Sequence, residues 1–297
     1  MSEPTLNYVS CPDASGGHRM AYWQWGRGDA PHVVLCVHGL SRQGRDFDVL
    51  AQALIARGGD GLRVVCPDVV GRGQSDWLQD PKGYQVPAYA ADMGVLLQAL
   101  QPATLDWVGT SMGGLIGLVL AGQAGLPFPI RRLVLNDVGP TISWPAIERI
   151  GAYLGAPLRF DSAEQAADAL RLISTGFGPH TREQWLALTR PMLKPAPEGD
   201  GRLMLHYDPA IAIPFRALTP EASAQGEVLL WQLYDAIRAR TLLLRGADSD
   251  LFSRETAQAM TRRGPHARLV EFPGVGHAPT LVAEDQVRVV SDFLLAA

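Results

Sequence analysis

Charged residues are few in this sequence, and neither sign of charge forms a block. They make up 19% of the 297 residues, with 26 Lys and Arg against 30 Asp and Glu, which gives a net charge of -4. Proteins that bind nucleic acid or anionic membranes usually carry a basic patch or stripe. The composition therefore disfavours both partners and favours a neutral small molecule. A chain of this length that is 47% hydrophobic can bury a large core, as one domain or as a domain with an insertion.

Cysteine is also scarce, and the sequence shows no pattern of metal ligands. The three cysteines, Cys11, Cys36 and Cys66, cannot all pair, and the last two lie in apolar runs where cysteine usually packs as a small buried side chain. We therefore expect reduced core cysteines. The cysteines and the scattered histidines lack metal-binding spacing, and no H-E-x-x-H motif occurs. No metal site is predicted.

No segment of the sequence is predicted to direct the chain to a membrane. Residues 1–10 lack the basic start and the apolar stretch of a signal peptide, which predicts a cytoplasmic protein. Residues 107–130 carry no charged side chain, but Gln123, Pro127 and Pro129 interrupt this stretch. A buried strand, a turn and a core helix explain it better than a membrane span.

Short apolar runs alternate with segments of helical periodicity along most of the chain. The runs do not alternate with polar residues, as expected for strands buried on both faces, and they lie at residues 32–37, 63–67, 104–108, 132–135, 241–244 and 269–272. The helical segments lie at residues 46–57, 87–100, 112–124, 254–263 and 279–295. This alternation predicts an α/β fold with a doubly wound, mostly parallel sheet.

The alternation stops for about a hundred residues in the second half of the chain, where helical patterns dominate. We interpret residues 141–238 as a helical cap inserted into a core that is formed by residues 1–140 and 239–297. The segments Asp161–Glu164 and Thr181–Gln184 resemble capping boxes and predict two helix starts within the insertion.

Within the insertion, a segment rich in proline interrupts the helical pattern, which then resumes. Proline and glycine punctuate residues 191–199, which predicts an irregular stretch, and helical character resumes over residues 225–239. Eight aromatic side chains of the insertion could line a pocket or pack against the core: Trp144, Tyr153, Phe177, Trp185, Tyr207, Phe215, Trp231 and Tyr234.

The segment Gly109–Gly113, Gly-Thr-Ser-Met-Gly, is the most informative part of the sequence. It follows an apolar run and opens onto a helical segment, which is the context of a nucleophile elbow. In such an elbow only glycine fits at the flanking positions, and the central serine lies exposed on a strained backbone. Ser111 is therefore a candidate nucleophile. A hydroxyl needs a base to remove its proton, and His277 is the candidate base because it lies in a turn between an apolar strand and the last helix.

Five segments occur in an order that resembles the α/β-hydrolase superfamily: His38–Ser41, Pro67–Asp76, Gly109–Gly114, Arg245–Asp248 and Gly274–His277. The resemblance covers nearly the whole chain. It implies the α/β-hydrolase fold, with an eight-stranded sheet and a cap after the sixth strand that roofs the pocket. The inserted helical segment falls in that place.

The resemblance also implies an oxyanion hole made by the backbone amides of Leu40 and Met112. Such donors stabilise the negative charge that develops on the former carbonyl oxygen of a tetrahedral intermediate. His38 is expected to shape the loop through hydrogen bonds of its side chain rather than to transfer a proton. Arg72, in the segment Asp68–Asp76, is expected to make structural hydrogen bonds.

The acid that would orient His277 has three candidates. In most of the superfamily it follows the seventh strand, where this chain has Ser249 flanked by Asp248 and Asp250. Some members, including a group of bacterial esterases, carry the acid after the sixth strand, and they resemble this chain in having serine at the usual position. Asp137 fits that arrangement. We favour Asp137, with Asp250 and then Asp248 as alternatives, although each aspartate could instead cap a loop.

These residues predict a cofactor-independent serine hydrolase that cleaves a small to medium carboxylic ester through an acyl-enzyme intermediate. Carbon–carbon bond hydrolysis, lactone hydrolysis and thioester hydrolysis are alternatives with the same residues, and a ligand sensor with slow turnover is an alternative of another class. No dinucleotide-binding fingerprint occurs, so no cofactor is expected. The expected substrate is an apolar ester, and the expected assembly is a monomer or a homodimer.

Overall fold

The computed structural model describes residues 3–296 and places eight strands in one sheet. Met1 and Ser2, at the start of the segment predicted to lack a signal peptide, and Ala297 lie outside the described residues. The strands of this sheet are β1 (Thr5–Cys11), β2 (His18–Trp25), β3 (His32–Val37), β4 (Leu62–Pro67), β5 (Thr104–Thr110), β6 (Ile130–Asn136), β9 (Arg240–Gly246) and β10 (Arg268–Phe272). Two short strands pair separately, β7 (Leu193–Pro195) and β8 (Leu203–Leu205).

The order of strands across the sheet is β1-β2-β4-β3-β5-β6-β9-β10. Strand β2 runs antiparallel to both of its neighbours, and the other pairs are parallel. The predicted doubly wound, mostly parallel sheet of eight strands is confirmed. All six apolar runs form strands, whereas the sequence pattern missed β1 and β2 because many of their side chains are partly exposed.

Helices cover both faces of the sheet. Alternate residues of β3 show this, because Val34 and Cys36 pack in the same core cluster as α1 (Asp48–Gly58) and α10 (Glu284–Leu295). The side chains of Val33 and Leu35 point to the opposite face, in the cluster that contains residues of several further helices. Among those helices are α2 (Val86–Leu100), α3 (Met112–Gly122), α9 (Arg254–Arg262) and α8 (Pro220–Ala236), the last of which comes from the inserted segment and packs on the core.

The uncharged stretch of residues 107–130 forms the end of β5, the turn at Ser111 and helix α3. Gly117 of α3 lies against Trp107, and a Cβ atom at this glycine would overlap the indole ring. Close packing of helix on sheet therefore explains the glycines and the lack of charge. Within residues 3–296, no helix is both long enough and apolar enough to cross a membrane.

The inserted segment follows β6 and contains the helices α4 (Trp144–Tyr153), α5 (Ala163–Ile173), α6 (Arg182–Thr189), α7 (Ala212–Arg216) and α8. The predicted capping box at Thr181 forms with Gln184. The other predicted box was wrong by one residue, because Ser162 rather than Asp161 caps α5 and accepts a hydrogen bond from the Gln165 amide at 3.1 Å.

Two further sequence expectations need correction. The stretch rich in proline is not wholly irregular, because β7 lies within it and pairs with β8, just after it, as a short antiparallel hairpin. The last helix begins at Glu284 rather than at residue 279. Leu281 has a φ of 59°, which is outside the helical region, and its amide donates to the Gln286 side chain at 2.9 Å. Residues before Glu284 therefore remain a loop, and this loop carries His277.

A buried ionic cluster attaches the β1–β2 hairpin to α2. The His18 imidazole bonds Asp13 through Nδ1 at 2.9 Å and Asp92 through Nε2 at 3.1 Å. Burial disfavours the charged imidazole, but the hydrogen bonds to Asp92, Cys11 and Asp13 outweigh it and raise the pKa of His18 to about 10. Cys11, like Cys36 and Cys66, is buried and unpaired, as predicted.

Candidate active site

Ser111 lies in the tight turn between β5 and α3. Its backbone has φ 51° and ψ -115°, a conformation that non-glycine residues rarely adopt. A Cβ atom at Gly113 would overlap the Val37 carbonyl oxygen, and one at Gly109 would overlap the Gly113 carbonyl. Because Gly109 and Gly113 lack a Cβ atom, the neighbouring chain segments can approach them closely. The resulting tight turn presents the Ser111 side chain, as expected for a nucleophile elbow.

Ser111, His277 and Asp137 form one hydrogen-bonded chain. The Ser111 Oγ lies 3.0 Å from His277 Nε2, and His277 Nδ1 lies 2.7 Å from Asp137 Oδ2. An ionised carboxylate only accepts hydrogen bonds, so Nδ1 carries the imidazole proton. Nε2 is then left with a lone pair directed at the serine hydroxyl, which is the arrangement needed to remove its proton.

Asp137 follows the end of β6 and is fully buried. Its Oδ1 accepts a hydrogen bond from the Gly246 amide at 2.8 Å, and its Oδ2 accepts one from the Ser249 hydroxyl at 2.6 Å besides that from His277. The carboxylate is therefore satisfied on both oxygens, as a buried charge requires.

The two alternative aspartates are exposed side chains outside this hydrogen-bonded chain. The Asp250 carboxylate forms an exposed ion pair with Arg149 at 2.7 Å. Asp248 is exposed, and its backbone amide donates to the Val275 carbonyl at 2.9 Å. Within residues 3–296, neither carboxylate has a hydrogen bond to His277. The geometry therefore supports Asp137 as the group that orients the imidazole.

The predicted oxyanion donors flank Ser111. Met112 is the first residue of α3, where amides have no partner within the helix, and Leu40 lies in the turn after β3. Neither amide donates a hydrogen bond to another group of the described chain. A Cβ atom at Gly39 would lie 3.8 Å from the Ser111 Cβ, so the Leu40 turn lies beside the nucleophile.

His38 holds this turn in place and is fully buried. Its Nδ1 donates to the Gly39 carbonyl at 2.7 Å, and its Nε2 accepts from the Val69 amide at 2.9 Å. Burial lowers the pKa of His38 to about 3, so the ring is neutral at physiological pH. Both nitrogens are occupied, which agrees with the structural role expected from the sequence.

The Arg72 side chain supports the same turn, which carries Leu40. Its guanidinium donates to the Leu40 carbonyl at 2.8 Å, to the Val70 carbonyl at 2.7 Å and to the Tyr89 hydroxyl at 3.0 Å. Arg72 is fully buried. The structural hydrogen bonds predicted for this residue are present, and they fix the backbone that carries the Leu40 amide.

The chain matches, over residues 32–283, the family described as the alpha/beta hydrolase fold. It is 51% identical over 298 residues to the 3-hydroxybutyrate-oligomer hydrolase of Cupriavidus necator, a match that covers 100% of this chain and 99% of the relative. The chain belongs to the α/β-hydrolase family. This hydrolase is also 26% identical over 275 residues to the esterase Rv0045c of Mycobacterium tuberculosis, covering 91% of this chain and 83% of the relative.

A solved structure with the same fold supports the assignment. An α/β hydrolase from Novosphingobium aromaticivorans superposes on this hydrolase with a TM-score of 0.83 at 34% identity, covering 99% of each chain. The fold predicted from the five sequence segments is thus confirmed. Together with the relatives above, it identifies the hydrolase as an enzyme that cleaves ester bonds.

A cavity of about 720 Å³ opens above Ser111 and His277 in the hydrolase. Much of its wall comes from the inserted segment and is apolar. Of the eight aromatic side chains considered from the sequence, Tyr153, Phe177 and Tyr207 line the cavity. The wall therefore offers apolar contact to a substrate, and it also carries charged side chains, among them Arg42, Arg149 and Asp250.

A short segment of the insertion contacts the loop that carries His277. The Gly276 amide donates to the Gly176 carbonyl at 2.7 Å, and a Cβ atom at Gly176 would lie 2.9 Å from the His277 backbone nitrogen. No local pattern predicts this contact, because it joins two loops that are a hundred residues apart in the sequence. The insertion therefore contacts the loop that carries His277 directly.

Proposed function

We propose that this hydrolase cleaves the ester bonds of short 3-hydroxybutyrate oligomers through an acyl-enzyme intermediate on Ser111. The observation that carries the proposal is the hydrogen-bonded chain of Ser111, His277 and Asp137 at the base of the cavity. The substrate class comes from the Cupriavidus relative, whose identity of 51% extends over the whole chain.

In the acylation step, the Ser111 oxygen attacks the ester carbonyl carbon while His277 Nε2 takes the hydroxyl proton. The amides of Leu40 and Met112 donate hydrogen bonds to the oxygen that becomes negatively charged. Asp137 stabilises the imidazolium and stays ionised. Collapse of the tetrahedral intermediate breaks the carbon–oxygen bond to the leaving group, and His277 gives its proton to that oxygen, which leaves as the hydroxyl end of a shorter oligomer.

In the deacylation step, His277 Nε2 removes a proton from a water molecule, and the resulting hydroxide attacks the acyl carbon on Ser111. The second tetrahedral intermediate uses the same two amides. When it collapses, the Ser111 oxygen regains the proton from His277 and the acid product leaves. The overall reaction adds one water across one ester bond.

The shape of the cavity suits such a substrate. A 3-hydroxybutyrate oligomer repeats a methyl group and an ester group along a flexible chain, so it needs an apolar wall with room for more than one unit. The inserted segment provides Leu170 and Tyr153 within the cavity and Leu158, Leu172 and Ile173 as partly or largely exposed side chains on its lining. We propose that residues 141–238 act as a cap that binds the oligomer beyond the scissile ester.

The test is release of 3-hydroxybutyrate from the purified dimer, trimer and tetramer, with Ser111→Ala as the matched control. We expect release by the wild-type protein and none above background by the variant. Lactones, thioesters and, for carbon–carbon bond hydrolysis, a vinylogous diketone are assayed in parallel. Preferred turnover of one of these would replace the oligomer as the substrate, and ligand-dependent stabilisation without turnover of any compound would indicate a sensor.

A further inference from the structure

We propose that Ser249 is a positioning residue for the reaction, because its hydroxyl holds the Asp137 carboxylate in the orientation that His277 requires. The proposal rests on the proposed function and adds a fourth side chain to its machinery. Ser249 stands where most α/β hydrolases carry their acid, and in this chain it supports an acid contributed by the neighbouring strand β6.

The direction of the Ser249 hydrogen bond follows from its two partners. Ser249 Oγ lies 2.6 Å from Asp137 Oδ2, and it also lies 3.1 Å from the Phe252 amide, which can only donate. The amide therefore occupies a lone pair of the hydroxyl oxygen, and the hydroxyl proton is directed at the carboxylate. The rotation of the hydroxyl is fixed from both sides.

Apart from the imidazole that it has to orient, the Asp137 carboxylate accepts from two groups, and the Ser249 hydroxyl restricts a rotation that the Gly246 amide alone leaves free. The Gly246 amide holds Asp137 Oδ1, but one contact on one oxygen still allows the carboxylate to turn about its Cβ–Cγ bond. Ser249 holds the second oxygen, Oδ2, which is also the oxygen that accepts the His277 proton. Both oxygens are thus fixed, and the lone pairs of Oδ2 keep their alignment with Nδ1.

The loop that presents Ser249 is itself held by a buried arginine. Arg245 Nε donates to the Phe252 carbonyl at 2.8 Å, and its Nη1 donates to the Ala247 carbonyl at 3.1 Å and to Glu271 at 2.8 Å. The Ser249 amide donates to the Gly246 carbonyl at 3.0 Å. The serine is therefore presented from a braced turn, as a group that positions a catalytic residue should be.

The first test compares Ser249→Thr with Ser249→Val, two side chains of the same shape of which only threonine keeps the hydroxyl. We expect the valine variant to lose roughly ten- to hundredfold in kcat, because a buried carboxylate loses one charge-assisted hydrogen bond. KM should be unchanged, and the threonine variant should keep at least half of the wild-type kcat. Equal kcat for the two variants would overturn the proposal, whatever their stability.

The second test transfers the carboxylate from position 137 to position 249. The Ser249 Oγ is within hydrogen-bond distance of Asp137 Oδ2, so a carboxylate at position 249 would reach the space that Oδ2 occupies. In Asp137→Gly, glycine accepts the φ of 56° at that position and empties this space. We expect Asp137→Gly/Ser249→Asp to be at least tenfold more active than Asp137→Gly alone. A folded double variant with no gain would contradict the proposed geometry, and if the double variant does not fold, the comparison of threonine with valine decides.

The activity of the wild-type protein distinguishes a failure of this proposal from a failure of the proposed function. All variants are assayed with p-nitrophenyl butyrate and with the 3-hydroxybutyrate trimer. Absence of wild-type turnover on both esters would overturn the ester hydrolase mechanism itself. An active wild-type protein whose Ser249→Val variant is equally active would leave that mechanism intact and overturn only the role of Ser249.

Discussion

Replacing Asp137 with asparagine should remove most of the activity while leaving the fold in place. The Gly246 amide, which can only donate, lies 2.8 Å from Oδ1, whereas the Ser249 hydroxyl beside Oδ2 can turn and accept in the variant. The new amide oxygen would therefore occupy the Oδ1 position and the new NH2 group the Oδ2 position. That NH2 group would face His277 Nδ1 and donate to it. The imidazole would then carry its proton on Nε2, 3.0 Å from Ser111 Oγ, and it could no longer accept the hydroxyl proton.

The loss expected from this change of tautomer is about 10⁴-fold in kcat, as for the same substitution in serine proteases, or about 5 kcal/mol of transition-state stabilisation. The assay is steady-state hydrolysis of p-nitrophenyl butyrate, with thermal unfolding to show that Asp137→Asn still folds. Asp250→Asn and Asp248→Asn are the matched controls, and we expect each to keep at least a third of the wild-type kcat. A variant at position 137 that keeps a tenth or more of the activity would refute the assignment, and a large loss at Asp250 or Asp248 would transfer the role there.

Two other predictions concern the fold that supports the site. Gly113→Ala should destabilise the protein by about 3 kcal/mol or more, because its Cβ atom would overlap the Val37 carbonyl oxygen; unfolding in urea measures this loss, and an unchanged midpoint would contradict the tight-turn geometry. The raised pKa of His18, about 10 against an unfolded value of 6.5, means that its bonds to Asp13 and Asp92 stabilise the fold fully below about pH 6.5. This contribution should decline as the pH rises toward about 10, so His18→Gln should flatten the pH dependence of unfolding, and an identical slope in wild type and variant would argue against a charged imidazole.

Much of the fold could be predicted because its signals are local. Unalternated apolar runs give the buried parallel strands, and the glycines around Ser111 report a turn that no larger residue can form. Strand β1 gave no such signal, since one edge of the sheet is partly exposed and its side chains are mixed in polarity. The hairpin of β7 and β8 was missed for a related reason: each strand has three residues, too few for a pattern.

The residues of the candidate site that belong to sequence motifs could be predicted, whereas those that reach the site only through contacts between distant loops were harder to predict. Ser111 and His277 follow from their sequence surroundings. Asp137 could be favoured but not separated from Asp250, because the choice depends on how two loops at the ends of β6 and β9 face the imidazole. The 2.7 Å contact between Asp137 Oδ2 and His277 Nδ1 distinguishes Asp137 from Asp250. The supporting bond from Ser249 depends on the same packing of two loops and has no counterpart in local sequence.

The most direct test of the proposed mechanism is the partitioning of the acyl group between water and an added alcohol. The phenyl and p-nitrophenyl esters of 3-hydroxybutyrate share one acyl group, so an acyl-enzyme on Ser111 would be common to both. In the presence of methanol, we expect the same ratio of methyl ester to free acid from the two substrates, although their leaving groups differ. A ratio that depends on the leaving group would contradict the covalent intermediate and indicate direct attack by water.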